Sequence, residues 1–272
     1  MDASAGGVSP DAPGTLEENQ VQAMFDRIAG VYDRMNTVMT AGLHHGWRAR
    51  AVELTGLSPG ARALDVATGT GDLAIALAGR VAPDGEVVAG DFSPRMLELA
   101  RVKALRSSSG LAVPIRFELV NALALPYGDG EFDAATVGFG ARNFADLAQG
   151  LQEMARVVAP GGRVVVLEIT TPRRRPLSTF FELWFDRVVP ALGRVVGDGQ
   201  AYGYLPGSVR RFPPPQELAA AMWAAGLREI RYFVTAGGII ALHVGEVART
   251  GATRGGGSSS GGQAAGRPED LA

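Results

Sequence analysis

The chain has 272 residues, 46% of them hydrophobic and 20% charged, with a formal net charge of −2 at pH 7. That is enough apolar material for a sizeable core; it excludes wholesale disorder and argues against nucleic acid as the main partner. The absence of cysteine removes disulfide scaffolds, thiolate zinc sites and cysteine nucleophiles, and with three histidines no metal centre is expected.

Residues 1–15 are small, polar and Pro/Gly-containing and read as a disordered tail ahead of a single domain over 16–250. They lack a basic segment followed by an apolar one, so a secretory signal is not expected and the chain is read as cytoplasmic. Val21, Met24, Phe25 and Ile28 recur at helical spacing, and Trp47, Ala51 and Leu54 suggest a second helix. Short apolar runs then alternate with helical stretches. ALDV (63–66) enters a glycine-rich turn and the helix DLAIALAGR, and EVVAG (86–90) ends at Asp91. Ser93 is placed to cap the next helix with Pro94 in its first turn. IRFELV (115–120) and DAATVGF (133–139) are further strands. Leu147, Leu151, Met154 and Val158 mark a helix face that Pro160-Gly161-Gly162 is expected to close, ahead of the strand RVVVLEI (163–169).

Strands separated by helices imply a mostly parallel sheet covered on both faces. The rhythm breaks at 171–210, an aromatic insertion. A helix near 215–225 and strands near 228–235 and 238–247 follow, joined by the short link TAGG, so these strands pair antiparallel. A parallel sheet closed by one antiparallel strand is the α/β layout of the Rossmann-like S-adenosylmethionine-dependent methyltransferase fold, here with seven strands. Residues 251–272 are Gly/Ser-rich and read as a second disordered tail.

The loop DVATGTGD (65–72) matches the dinucleotide pattern G-x-G-x-x-A through Gly69, Gly71 and Ala74. A glycine-rich turn with no ligand is the bland alternative. Asp91 lies 20 residues past Gly71, where a carboxylate can accept from ribose hydroxyls. A pyrophosphate would sit on the helix N-terminus, but Asp65 and Asp72 lie there. Two carboxylates suit a cationic, phosphate-free ligand, which favours S-adenosylmethionine over NAD. Asn121-Ala122 ends the third strand; Asn121 reads either as an adenine contact or as an ordinary turn residue.

Six segments in order carry a resemblance over about residues 20–247: MFDRIAGVYDRMNTVMTAGLHHGWR, LDVATGTGDLA, NALALPYGDGEFDAATVGFGARNF, MARVVAPGGRVVVLEIT, AYGYLPGSVRRFP and TAGGIIALHVG. The chain resembles the demethylmenaquinone and ubiquinone C-methyltransferases, the quinone-ring methylases of respiratory quinone biosynthesis. The resemblance implies methyl transfer from S-adenosylmethionine to a ring carbon of reduced demethylmenaquinone, with the ubiquinone-pathway benzoquinol, or both, as the alternative acceptor. An NAD-dependent oxidoreductase and a non-catalytic S-adenosylmethionine-binding partner are the rivals from other classes. Carried over, the cofactor contacts fall on Thr70, Asp91, Asn121 and Ala122, with Asp65, Gly69 and Gly71 in the loop. Gly138 stands where the family often has a serine, and Ala67 where methyltransferases often have a glycine.

A quinone carbon is not nucleophilic, so the acceptor is expected to be the quinol. No side chain is an obvious base. Arg142 is the candidate to stabilise a phenolate or orient a water, against a strut paired with a carboxylate. Tyr202 is the second catalytic candidate, with Tyr32, His44 and Arg210 as substrate contacts and Tyr204 and His243 also in view. The insertion 176–197 reads either as core or as an apolar lid over a polyprenyl tail, with Arg173-Arg174-Arg175 either solvated or near anionic headgroups. The expected partners are therefore a polyprenylated quinol and peripheral contact with the inner face of the membrane, with homo-oligomers left open. The lone lysine, Lys103, reads as a compositional bias toward arginine.

Overall fold

The structure is a computed structural model that describes residues 18–40, 42–107, 113–172, 174–189, 191 and 199–249. The two tails, Arg173, residues 192–198 and the Tyr202 side chain lie outside the described residues.

Seven strands form one sheet: β1 Arg62–Val66, β2 Glu86–Asp91, β3 Ile115–Leu119, β4 Phe132–Gly138, β5 Val158–Ile169, β6 Leu227–Thr235 and β7 Ile240–Val247. Their order is β3-β2-β1-β4-β5-β7-β6, with β7 antiparallel to both neighbours and the other pairings parallel. The helices are α1 Glu18–Thr40, α2 His44–Thr55, α3 Asp72–Val81, α4 Pro94–Ser107 and α5 Leu147–Val157. In the insertion, α6 Leu177–Leu183 runs into a π-helical turn, Trp184–Val188; α7 Gly199–Arg211 and α8 Pro215–Ala224 follow.

Strand alternation divides the core into two layers. On one face, Ala63, Ala134, Val165 and Leu167 pack against Ala51 and Leu54 of α2 and Leu73, Leu77 and Val81 of α3. On the other, Leu64, Val66, Val137 and Val166 pack against Leu151 and Met154 of α5 and Leu218 and Met222 of α8. The helical face read from α1 is buried at Val21, Met24 and Ile28, against Val189 and Tyr204 of the insertion. Asp146 caps α5 by accepting from Gln149 N at 3.0 Å, and Ser93 Oγ accepts from Met96 N at 3.1 Å at the start of α4.

One boundary differs from the sequence reading. Pro160-Gly161-Gly162 does not separate helix from strand, because β5 already begins at Val158. The segment bulges between the pairings Phe132–Val158 and Ala134–Arg163. Gly162 lies so close to β4 that a Cβ there would meet the Asp133 carbonyl oxygen at 2.5 Å. The glycines serve a close backbone approach rather than a helix stop.

The strand order reverses at β1, between β2 and β4. Open α/β sheets place ligands at the carboxyl ends of strands beside such a switch point. The β1–α3 loop, the end of β2 and the turn after β4 all meet there.

Candidate active site

A narrow crevice opens at this point. Val66, Ala67 and Gly69 from the first loop, Asp91, Phe92 and Met96 around the second strand end, Val120 to Leu123 and Gly138 to Gly140 contribute to its walls. Gly71 takes φ +84° at the entry to α3, and a Cβ on it would press within 3.0 Å of Ala100 Cβ, so the turn needs glycine. Ala67 holds φ 52° without being glycine.

Asp91 is the carboxylate bordering the crevice. Its Oδ2 accepts from Gly69 N at 2.8 Å and its Oδ1 from Ser93 N at 2.9 Å, which fixes the loop against the strand end. Burial pushes its pKa up to about 6, against the help of those backbone donors. Asn121 Oδ1 accepts from Leu123 N at 2.8 Å, a turn bond, while Asn121 and Ala122 both border the crevice.

Three other cofactor candidates sit elsewhere. Asp65 lies beneath the loop, fully buried, accepting from the hydroxyls of Thr68 and Thr136 at 2.6 Å each; burial raises its pKa to about 6. Thr70 turns toward α1, donating to Asp33 Oδ1 at 2.6 Å and accepting from Lys103 Nζ at 2.9 Å. Gly71 serves the turn. Asp72 is neutralised by Arg48 at 3.2 Å and Lys103 at 2.7 Å; these cations outweigh burial and hold its carboxyl below the usual range. The carboxylates expected to repel phosphate are thus buried or paired, and the crevice's character comes from Asp91. No lysine or arginine is among its described lining residues. A pyrophosphate would find no cation there.

A second cavity, of about 400 Å³, adjoins the crevice. Its walls are mostly apolar: Met24, Ile28, Trp47, Ile169, Phe181 and Phe185 among them. Phe25, Tyr32, Phe139 and Asn143 border both spaces, so the two meet at these four side chains.

Arg142 and His44 line the large cavity with Tyr32 and Tyr204. The Arg142 side chain is only 6% exposed and pairs with Glu168 Oε1 at 2.7 Å; its Nη1 also donates to the Phe139 carbonyl. Burial opposes its charge, but Glu168 outweighs burial, so the guanidinium stays protonated. Its Nε and the Asn143 Oδ1 are buried without a partner among the described residues. His44 meets Thr40 Oγ1 through Nδ1 at 2.7 Å; burial, then Arg48 and His45, lowers its pKa to about 4.

Arg210 is not brought to the cavity: it faces outward and pairs with Asp186. His243 is buried under α8, where its Nε2 meets the Pro215 carbonyl at 2.9 Å. Sequence reasoning missed Glu168, although a lone acid inside VVVLEI is a signal for a buried ion pair. It also missed Lys103 and Asp33, whose meeting joins α4 to α1 and leaves no local pattern.

The model of the ubiE/COQ5 methyltransferase family matches residues 14–247. The demethylmenaquinone methyltransferase of Thermus thermophilus is 48% identical over 224 residues, 82% of this chain and 99% of that protein. That of Deinococcus radiodurans is 50% identical over 228 residues, 83% and 92% of the two chains. The ubiquinone/menaquinone biosynthesis C-methyltransferase of Geotalea uraniireducens is 39% identical over 232 residues, 85% and 98%. Among solved structures, a SAM-dependent methyltransferase from Thermotoga maritima superposes with a TM-score of 0.56 at 21% identity, covering 83% of this chain and 98% of that one. One from Aquifex aeolicus gives 0.52 at 18% identity, covering 74% and 89%. At such identities these structures show the shared fold alone.

Proposed function

The chain belongs to the ubiE/COQ5 methyltransferase family, and from that premise we propose that it methylates a ring carbon of reduced demethylmenaquinone, with S-adenosylmethionine as donor. The observation that carries this reading is the meeting of two unlike spaces at Phe25, Tyr32, Phe139 and Asn143. One space suits a phosphate-free nucleoside and the other a flat apolar ring.

The residues present fit the donor. Asp91 keeps lone pairs for the ribose hydroxyls beyond its two backbone bonds. Phe92, Met96 and Val120 supply apolar walls for the adenine, beside Asn121 and Ala122. When bound, S-adenosylmethionine supplies a methyl group on a sulfonium. The protein's part is positional: holding the ring in line at the junction contributes roughly 7–11 kcal/mol toward the barrier.

At the acceptor end, Arg142 Nε is a donor and Asn143 Oδ1 an acceptor, both buried and unpartnered among the described residues. Leaving such groups unmet costs about 1–3 kcal/mol each, so they mark where a polar ligand group belongs. Both residues line the large cavity, so a quinol oxygen bound there lies beside a fixed cation that stabilises negative charge on it. Glu168 holds Arg142 in place, so the strut and the substrate contact are one residue.

The polyprenyl tail runs along the aromatic wall of α6. No described helix is long and apolar enough to cross a membrane. Leu43, Phe180 and Leu183 are instead exposed, the first two at the cavity itself, and make a rim for peripheral contact with a bilayer that holds the quinol.

The test uses purified protein with labelled S-adenosylmethionine and two reduced acceptors, a demethylmenaquinol and a polyprenyl benzoquinol. Label in menaquinol, with little in the benzoquinol product, supports the reading. The reverse preference would assign the chain to the ubiquinone pathway.

A further inference from the structure

The hydrogen bonds around His44 fix its tautomer. Thr40 Oγ1 has one proton, and it is given to the Asn36 carbonyl, 2.7 Å away one turn back in α1. Toward His44 the hydroxyl can therefore only accept, so the Nδ1 that meets it at 2.7 Å carries the ring proton. A neutral imidazole so fixed has a bare lone pair on Nε2. His44 makes no other hydrogen bond among the described residues, and it lines the large cavity. Arg48, one turn further along the same face of α2, also lines the cavity and lies over the Phe139 ring with its guanidinium carbon 5.8 Å from the ring centre. Phe139 is one of the four residues at the junction of the two spaces. A neutral base and a fixed cation thus stand side by side at the cavity end nearest the crevice.

Resting on the reading of the chain as a quinol C-methyltransferase, we propose that His44 is a catalytic residue that accepts the quinol hydroxyl proton on Nε2, with Thr40 holding the imidazole in the tautomer that can do so. The step balances as follows. The quinol O–H bond breaks as its proton passes to Nε2, and the oxygen's electron density moves into the ring. The ring carbon forms the new C–C bond to the methyl group while the carbon–sulfur bond breaks, its electron pair leaving with sulfur. The ring carbon then loses its own hydrogen to water as aromaticity returns, and the oxygen recovers the proton held by His44. Nothing is oxidised or reduced. Arg48, which also pairs with Asp72 at 3.2 Å, adds positive charge beside the oxygen that becomes anionic.

The experiment compares wild type, His44→Ala, His44→Gln and Thr40→Val with reduced demethylmenaquinone and saturating S-adenosylmethionine. His44→Ala is expected to lower kcat by about 10²–10⁴-fold, the usual worth of a positioned base. Cofactor affinity is expected to stay within about twofold, because His44 does not border the crevice; added imidazole is expected to restore part of the rate. His44→Gln, which keeps a polar side chain of similar reach, is expected to preserve the acceptor KM and still lose kcat. Thr40→Val is expected to lower kcat less than either. Near-normal kcat in both His44 variants, or losses matched by lost cofactor affinity and unmoved by imidazole, would overturn the assignment. Wild-type protein that binds S-adenosylmethionine but methylates no quinol would instead overturn the functional reading on which it rests.

Discussion

Asp91 and Asp65 are both buried carboxylates at the end of neighbouring strands, yet they do different work. Asp91 borders the crevice, so Asp91→Ala is expected to weaken S-adenosylmethionine binding about 10–100-fold, from the loss of charge-assisted bonds worth about 1.5–3 kcal/mol each. Calorimetry with the folded variant checks this, and unchanged affinity would remove Asp91 from the site. Asp65 does not touch the crevice, and its effect is on stability. Its pKa is about 6 in the folded protein against 3.8 ordinarily, so the native state holds this proton more tightly. The resulting stabilisation is present below about pH 4 and is lost as pH rises to about 6. Asp65→Asn removes that loss, and its stability relative to wild type is expected to improve by about 2–3 kcal/mol between pH 4 and 7. Urea unfolding at the two pH values measures it; an unchanged difference would place the strain elsewhere. Glu168→Gln strips the counter-charge from buried Arg142 and is expected to cost about 3–5 kcal/mol, together with most turnover. Asp91 was legible because strand ends and spacing point to it. Arg142 was legible only as a cation in the right loop, since its partner lies 26 positions away.

Among the elements, α1 links the two spaces. Gln22 donates to the Phe92 carbonyl at 2.6 Å, Ser93 to Asp26 at 2.5 Å, and Lys103 joins Asp33, Thr70 and Asp72. These contacts hold Phe25 and Tyr32 over the junction. Each is partly exposed and individually modest, but they act on one helix. Lys103→Met is expected to weaken cofactor binding about 3–10-fold through faster release, and to raise amide exchange in residues 18–40. Unaltered exchange there would show that apolar packing alone holds α1. The strands could be read from apolar runs alternating with helical stretches, but their order in the sheet comes only from the structure. The Pro-Gly-Gly segment was misread because the same residues that stop helices also permit a bulge and a close backbone approach. In the insertion, aromatic content announced an apolar wall, but which aromatics face the cavity depends on α1 and α7.

Taken whole, the molecule has a methyltransferase fold whose crevice and large cavity, the proposed donor and acceptor sites, are built from different parts of the chain. The crevice is made chiefly by the sheet's carboxyl edge, the large cavity by α1, α2, the insertion and the loops beside them. The segment 251–272 has only Leu271 as a large aliphatic or aromatic side chain. Its removal is expected to leave the melting temperature and turnover nearly unchanged, and a loss of several degrees would show that it docks. Transfer of a methyl group to a quinol carbon requires an electron-rich ring. Its most direct test is to follow label from S-adenosylmethionine into demethylmenaquinone held fully reduced and, separately, fully oxidised. Labelled menaquinol is expected in the first case and none in the second; equal labelling of the oxidised quinone, or none of either, would show that this protein does not methylate a quinol ring.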